Sequence, residues 1–261
     1  MILVMDVGNT NIKLALYKED KMMASWRLSV LNYRTADEYG MMLEDIFHSK
    51  GYAFSDVDGI IISSVVPSLN YTIIHTCEYY LNISPIMVSS ELNAGIKIDY
   101  TDPKTLGADR IANAVGAYYI YGGPCIIIDL GTATTFGVVS KEGVFLGGAI
   151  APGIRSSIDA LSNSASQLPL IEIQKPDSVI SKTTITNMQA GTIYGFYGLV
   201  KNIIEGIKSE LNDDRVKIIA TGGLTELIND EKLIDIFDRA LTLKGLNVLY
   251  KLNSKLQEEK Q

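Results

Sequence analysis

One local grammar occurs twice in this chain, and it constrains the fold more than any other feature. Ile2 to Met5 is a short apolar run followed by Asp6, Gly8, Asn9 and Thr10; Ile126 to Ile128 is another, followed by Asp129, Gly131 and Thr132. Each run reads as a buried strand, and each acid opens a small-residue turn. An alternating run follows each turn, Ile12 to Tyr17 and Thr134 to Ser140, so both copies read as hairpins. A chain with the same acidic hairpin in each half is expected to repeat one architecture.

The parts of such a turn suit an anion. Gly8 and Gly131 carry no side chain to screen the backbone amides, while Asn9, Thr10, Asn11, Thr132, Thr134 and Thr135 add neutral donors. A carboxylate beside a phosphate is repelled unless a cation lies between them, so Asp6 and Asp129 point to metal ions bridging protein and nucleotide. One Asp-x-Gly turn alone does no more than close a hairpin. Two copies at similar places make that bland reading less attractive.

The chain has 261 residues, 47% of them hydrophobic, enough for one large domain or two of ordinary size. A net charge of -7 and the lack of any basic run argue against nucleic acid as a partner. Cys77 and Cys125 stand far apart, which disfavours a disulfide framework or zinc cluster, and both read as buried thiols. His48 and His75 have no spaced metal partner. No apolar run approaches the ~18 residues of a membrane span, and the first residues do not read as a signal peptide. The expected location is the cytoplasm, with no membrane association.

Taken in order, the first half predicts strands at Met22 to Leu28, Gly59 to Ser64 and Pro85 to Ser89, with helices at Thr35 to Lys50 and Ser68 to Leu81. Gly95 to Arg110 is too polar for a buried strand and reads as a working loop. Ala108 to Tyr121 is alanine-rich and predicts a helix with Asp109 and Arg110 in its first turn. The bland account there is a capping acid with an ion-paired arginine; the functional one is a general base beside a cation that grips a carboxylate.

The second half predicts strands at Pro124 to Leu130, Thr134 to Ser140, Gly143 to Ile150 and Val216 to Ala220. Helices are expected at Ile154 to Asn163, Thr184 to Leu211 and Leu243 to Glu258, ahead of a solvated Glu-Glu-Lys-Gln tail. The glycines of the long helix suit close packing or a helix-helix interface. Thr221-Gly-Gly-Leu224 is a turn that lets a flat base approach the backbone, or an ordinary strand-to-helix turn.

Two halves, each opened by an acidic turn, resemble the superfamily of acetate and sugar kinases, heat-shock chaperone ATPases and actin. Within it the chain is similar to type III pantothenate kinase over essentially its whole length. The segments carrying the likeness are Asp6-Val7-Gly8-Asn9-Thr10-Asn11, Gly107-Ala108-Asp109-Arg110, Asp129-Leu-Gly-Thr-Ala133, Gly148-Ala-Ile-Ala-Pro-Gly153, Met188-Gln-Ala-Gly191 and Thr221-Gly-Gly-Leu224.

The resemblance implies an α/β fold: two tandem ribonuclease H-like (actin-like ATPase) domains, residues 1–114 and 115–261, each a five-stranded mixed sheet with helices, and an ATP cleft between them. It implies ATP contacts at Asp6, Val7, Gly8, Asn9, Thr10, Asn11, Ile12, Lys13 and Thr132. Pantothenate contacts fall at Tyr100, Gly107, Ala108, Asp109, Arg110 and Thr184, with Asp109 as proton acceptor. Asp6 helps position magnesium, Asp129 holds potassium or ammonium, and the protein is a homodimer. The family commonly has Gly-Arg/Lys-x-Thr at the last contact, whereas Ser181-Lys182-Thr183 precede Thr184 here. A sugar or polyphosphate kinase or phosphatase of the same superfamily, and a non-catalytic relative, are the alternatives. The non-catalytic relative is expected to lose one of Asp6, Asp109 and Asp129, and all three are present.

Overall fold

The computed structural model describes residues 1–30, 34–213, 215–225 and 233–258. The N-terminal apolar run forms strand β1 (Ile2–Val7), and its turn returns the chain antiparallel as β2 (Asn11–Lys18), setting Asp6 opposite Lys13. β3 (Lys21–Ser29) completes the meander as an edge strand that exposes alternate residues. Helix α1 (Ala36–His48) opens on a capping box in which Thr35 and Glu38 satisfy each other's backbone amides. β4 (Gly59–Ser64) then pairs parallel with β1, placing Ser63 beside Asp6 and Ser64 beside Val7. Helix α2 (Pro67–Leu81) starts on a proline and stops at Asn82, whose left-handed backbone (φ 56) ends it. The short strand β5 (Ile86–Met87) completes a five-stranded sheet of order β3-β2-β1-β4-β5.

Both faces of β1 are covered. Leu3, Met5 and Val7 pack with Leu43 and Phe47 of α1 and with Leu69, Ile73 and Cys77 of α2. A two-residue strand β6 (Lys97–Ile98) and a 3-10 turn (Pro103–Thr105) lie in the segment read as a loop, and α3 (Ala108–Tyr121) follows with the predicted bounds.

The second half rebuilds the same pattern. β7 (Cys125–Leu130), β8 (Ala133–Val139) and β9 (Val144–Pro152) form an antiparallel meander; α4 (Ile154–Ser164) and α5 (Thr184–Leu211) follow. β10 (Lys217–Thr221) and β11 (Ile236–Phe237) add in parallel, giving β9-β8-β7-β10-β11 within this half. Ile126, Ile128 and Leu130 pack on Ile154 of α4 and on Ile193, Val200 and Ile204 of α5.

The final helix α6 (Leu241–Glu258) does not stay with the sheet that precedes it. The chain divides into one unit of residues 1–121 and 240–261 and another of 122–239. A cut at 114/115 falls inside α3; the helix runs unbroken to Tyr121, where Gly122 (φ 77) turns the chain away. Leu241, Leu246 and Leu249 are fully buried on the first unit, where α6 lies against α3, β1 and β4. α3 and α6 cross with their backbones in contact, because a Cβ on Gly245 would fall 1.9 Å from the carbonyl oxygen of Ala112. In that crossing Thr242 Oγ1 donates to Asn113 Oδ1 at 2.8 Å. Residues 259–261 of the expected tail lie outside the described residues. No helix among the described residues is long and apolar enough to cross a membrane.

Candidate active site

In the first unit the expected residues gather at the carboxyl ends of β1 and β4, the edge where open α/β sheets bind ligands. Asp6 is buried, 7% exposed, with Lys13 Nζ 3.5 Å from its Oδ2. The Gly8 amide closes its own hairpin by donating to Asn11 O at 3.0 Å, and Thr10 O accepts from Val30 N. Asn9 and Thr10 are exposed at the tip, whereas Val7 and Ile12 are buried in the core. Only the backbone of those two is left to meet a ligand.

Val65 joins this turn to the start of α3. Its amide donates to Val7 O at 3.0 Å, and its Cγ1 lies 3.8 Å from the place a Cβ on Gly107 would take. The same Cβ would fall 2.5 Å from Asp109 Oδ1, so glycine makes room for that carboxylate. Asp109 Oδ1 accepts from the amide of Arg110 at 2.8 Å, which orients the carboxylate at the helix start. Asp109 is half-buried, Arg110 is 8% exposed, and Tyr100 is half-buried two residues beyond β6.

In the second unit Asp129 is the next-to-last residue of β7, beside Thr135 on one side and Thr221 on the other. The Gly131 amide donates to Ala133 O at 3.1 Å, echoing Gly8, and Ser156 Oγ donates to Thr132 O at 2.7 Å. Gly222 adopts φ +101, and a Cβ there would lie 2.6 Å from Leu130 O and 2.8 Å from Asp129 Oδ1. Its glycine identity lets the Thr221 turn lie against the acid. A Cβ on Gly153 would fall 2.3 Å from Thr132 O, so the end of β9 also meets the Asp129 turn.

Thr184 is exposed as the first residue of α5 and borders a cavity of about 600 Å³ that Pro152, Ile154, Met188 and Phe196 also line. Thr183 caps the helix: its Oγ1 accepts from Thr186 N at 3.2 Å. Ser181, standing where the family has glycine, does not take a left-handed backbone, and its Oγ donates to Ser178 O at 2.9 Å. Serine therefore fits the turn. On α5 a Cβ on Gly191, Gly195 or Gly198 would meet nothing within 4 Å, so those glycines do not pack against the described part of their own chain.

Sequence reasoning passed over Ser63 and Ser156. Ser63 was simply the end of a strand, and nothing local distinguishes it from Ser64; Ser156 was one of the serines opening a helix.

A model of the type III pantothenate kinase family matches residues 2–206. The chain belongs to that family. It is accordingly an ATP-dependent kinase, and every residue of this candidate site except Thr221 and Gly222 lies inside the matched span. Solved structures agree on the actin-like ATPase fold. A conserved candidate Baf family transcriptional activator from Campylobacter jejuni superposes with a TM-score of 0.61 at 22% identity, over 97% of this chain and 99% of that one. A candidate 2-dehydro-3-deoxygalactonokinase from Sinorhizobium meliloti gives 0.55 at 12%, over 96% of each chain. The ethanolamine utilization protein EutJ from Carboxydothermus hydrogenoformans gives 0.54 at 11%, over 95% of this chain and 89% of that one.

No group of three or more His, Cys, Asp or Glu able to hold a metal occurs among the described residues. The donor set suits magnesium, which keeps several waters and takes one or two carboxylates plus substrate phosphates. Asp6, buried at the end of the first hairpin's leading strand, supplies such a carboxylate without a closed protein cage.

Proposed function

We propose that this kinase transfers the γ-phosphoryl group of ATP to the primary hydroxyl of pantothenate, giving 4'-phosphopantothenate in the first step of coenzyme A synthesis. The observation that carries the reading is the seat of Asp109: a carboxylate oriented by the Arg110 amide, given space by Gly107 and tied through Val65 to the Asp6 turn. Asp109 accepts the hydroxyl proton as the oxygen attacks phosphorus. Arg110 engages the pantothenate carboxylate, a task suited to a guanidinium fork, and Tyr100, Gly107, Ala108 and Thr184 complete that contact. Residues Asp6 to Lys13 and Thr132 hold ATP, with Asp6 oriented toward magnesium and Asp129 toward potassium or ammonium. Bound cations neutralise charge on the transferring phosphoryl group, and the oriented backbone of both turns adds fixed dipoles.

The protein acts as a cytoplasmic homodimer in this reading. The bare glycine face of α5 and exposed Ile185 and Tyr194 beside it support a subunit contact there. A coupled assay of ADP release tests the proposal, run with pantothenate and with and without potassium. Potassium-dependent turnover is the expected result. Turnover of sugars or polyphosphate with none of pantothenate would instead favour another kinase activity on the same fold.

A further inference from the structure

Ser63 and Thr221 occupy matching places in the two halves. Ser63 stands in parallel register beside Asp6 on the neighbouring strand, and Thr221 stands in parallel register beside Asp129. Residues so paired project to the same face of their sheet, so each hydroxyl shares a face with one of the two acids. Ser63 is 0% exposed and Thr221 1%, and neither hydroxyl has a hydrogen-bond partner among the described residues.

A buried unsatisfied hydroxyl is uncommon and costs stability; valine or alanine would avoid that cost at either place. The neighbouring Ser64 shows the contrast: its Oγ donates to Asn70 Oδ1 at 2.6 Å and accepts from the Val66 amide at 3.2 Å, holding the loop before α2. Ser63 has no such structural duty. Unused hydroxyls recur in each half at the position beside the acid on the parallel neighbouring strand, which is hard to reconcile with a chance packing defect.

We infer that Ser63 and Thr221 are paired positioning residues. When nucleotide and cations bind, Ser63 donates its hydroxyl hydrogen to Asp6 and Thr221 donates to Asp129, and each bond holds its carboxylate in the orientation that meets the cation. A carboxylate drawn toward a cation turns one oxygen outward, and a neutral donor behind it stabilises the other without competing for the charge. The inference rests on the kinase reading of this site but not on pantothenate as acceptor.

The test is calorimetric binding of ADP to the full chain, with and without magnesium, together with thermal melting of the free protein. Ser63→Ala is expected to weaken magnesium-dependent ADP binding by roughly 10-fold or more and to leave binding without magnesium within about twofold. Ser63→Cys, which keeps the size with a weaker donor, falls between, and it carries the test should the alanine variant fold poorly. Thr221→Val is expected to reduce the rise in melting temperature that potassium confers on the ADP complex, while Thr221→Ser retains it. Variants that melt higher than wild type and keep wild-type magnesium and potassium responses would overturn the inference, since removing a pure packing defect does that. If the wild-type protein showed no magnesium-dependent ADP binding, the kinase reading would fall together with it; loss in no variant overturns this inference alone.

Discussion

Gly107 and Asp109 are sterically coupled: a methyl group on residue 107 would lie 2.5 Å from Oδ1 of residue 109. The atom in the way is the end of a side chain that can rotate, so Gly107→Ala moves the carboxylate rather than the backbone. Turnover is expected to fall about 100-fold, because misplacing a reacting group by ~1 Å costs that much. Asp109→Asn is expected to lower kcat by ~100- to 10,000-fold with ADP binding unchanged. Steady-state kinetics beside denaturation curves check both; wild-type turnover in Asp109→Asn would refute the base assignment.

Gly222→Ala is a different kind of change. The obstacles are the Leu130 backbone at 2.6 and 2.7 Å, and the residue holds φ +101, which side chains rarely tolerate. Strain and clash add, and a loss of at least ~2 kcal/mol is expected. Urea denaturation reads it directly, and a neutral result would mean the turn is free to move away from Asp129.

Thr183→Ala removes the cap of α5 and exposes orphan amides in its first turn. A stability loss of about 1 kcal/mol is expected. Because Thr184 is the first residue of that helix, KM for pantothenate should rise while kcat changes less. Equal effects on both would argue that Thr184 does not touch the substrate.

Burial pushes the thiols of Cys77 and Cys125 up to about 12. In the unfolded chain they ionise near ~8.5. Below that pH both states keep the proton and these groups leave stability unchanged. As pH rises toward 12 the unfolded state ionises first, so stability falls by up to about 1.4 kcal/mol per pH unit for each thiol. Denaturation midpoints from pH 8 to 10.5 should decline, and replacing both cysteines with alanine should flatten the slope. The native thiols should also react far more slowly with Ellman's reagent at pH 8 than those of the unfolded chain.

Local patterns were read well where chemistry marks both ends of an element. β4, α3 and α5 have the predicted bounds, where a β-branched run, an alanine-rich stretch and the longest helical pattern of the chain announce them. β11 is two residues long and gives no period to detect. The placement of α6 was not legible, since an apolar stripe says that a helix is buried and not which sheet buries it. The Asp6 and Asp129 turns stand out in the sequence as a repeat, and in both the glycine amide closes its own hairpin. Ser63 and Ser64 are chemically identical neighbours, and only strand register separates their surroundings.

Because its last helix is threaded back onto the first sheet, the amino-terminal unit is encoded in two pieces with the other unit wholly between them. On the ribosome, the segment begun first is therefore the one completed last: residues 122–239 can close their own core while β1 and β4 still await the leucines of α6.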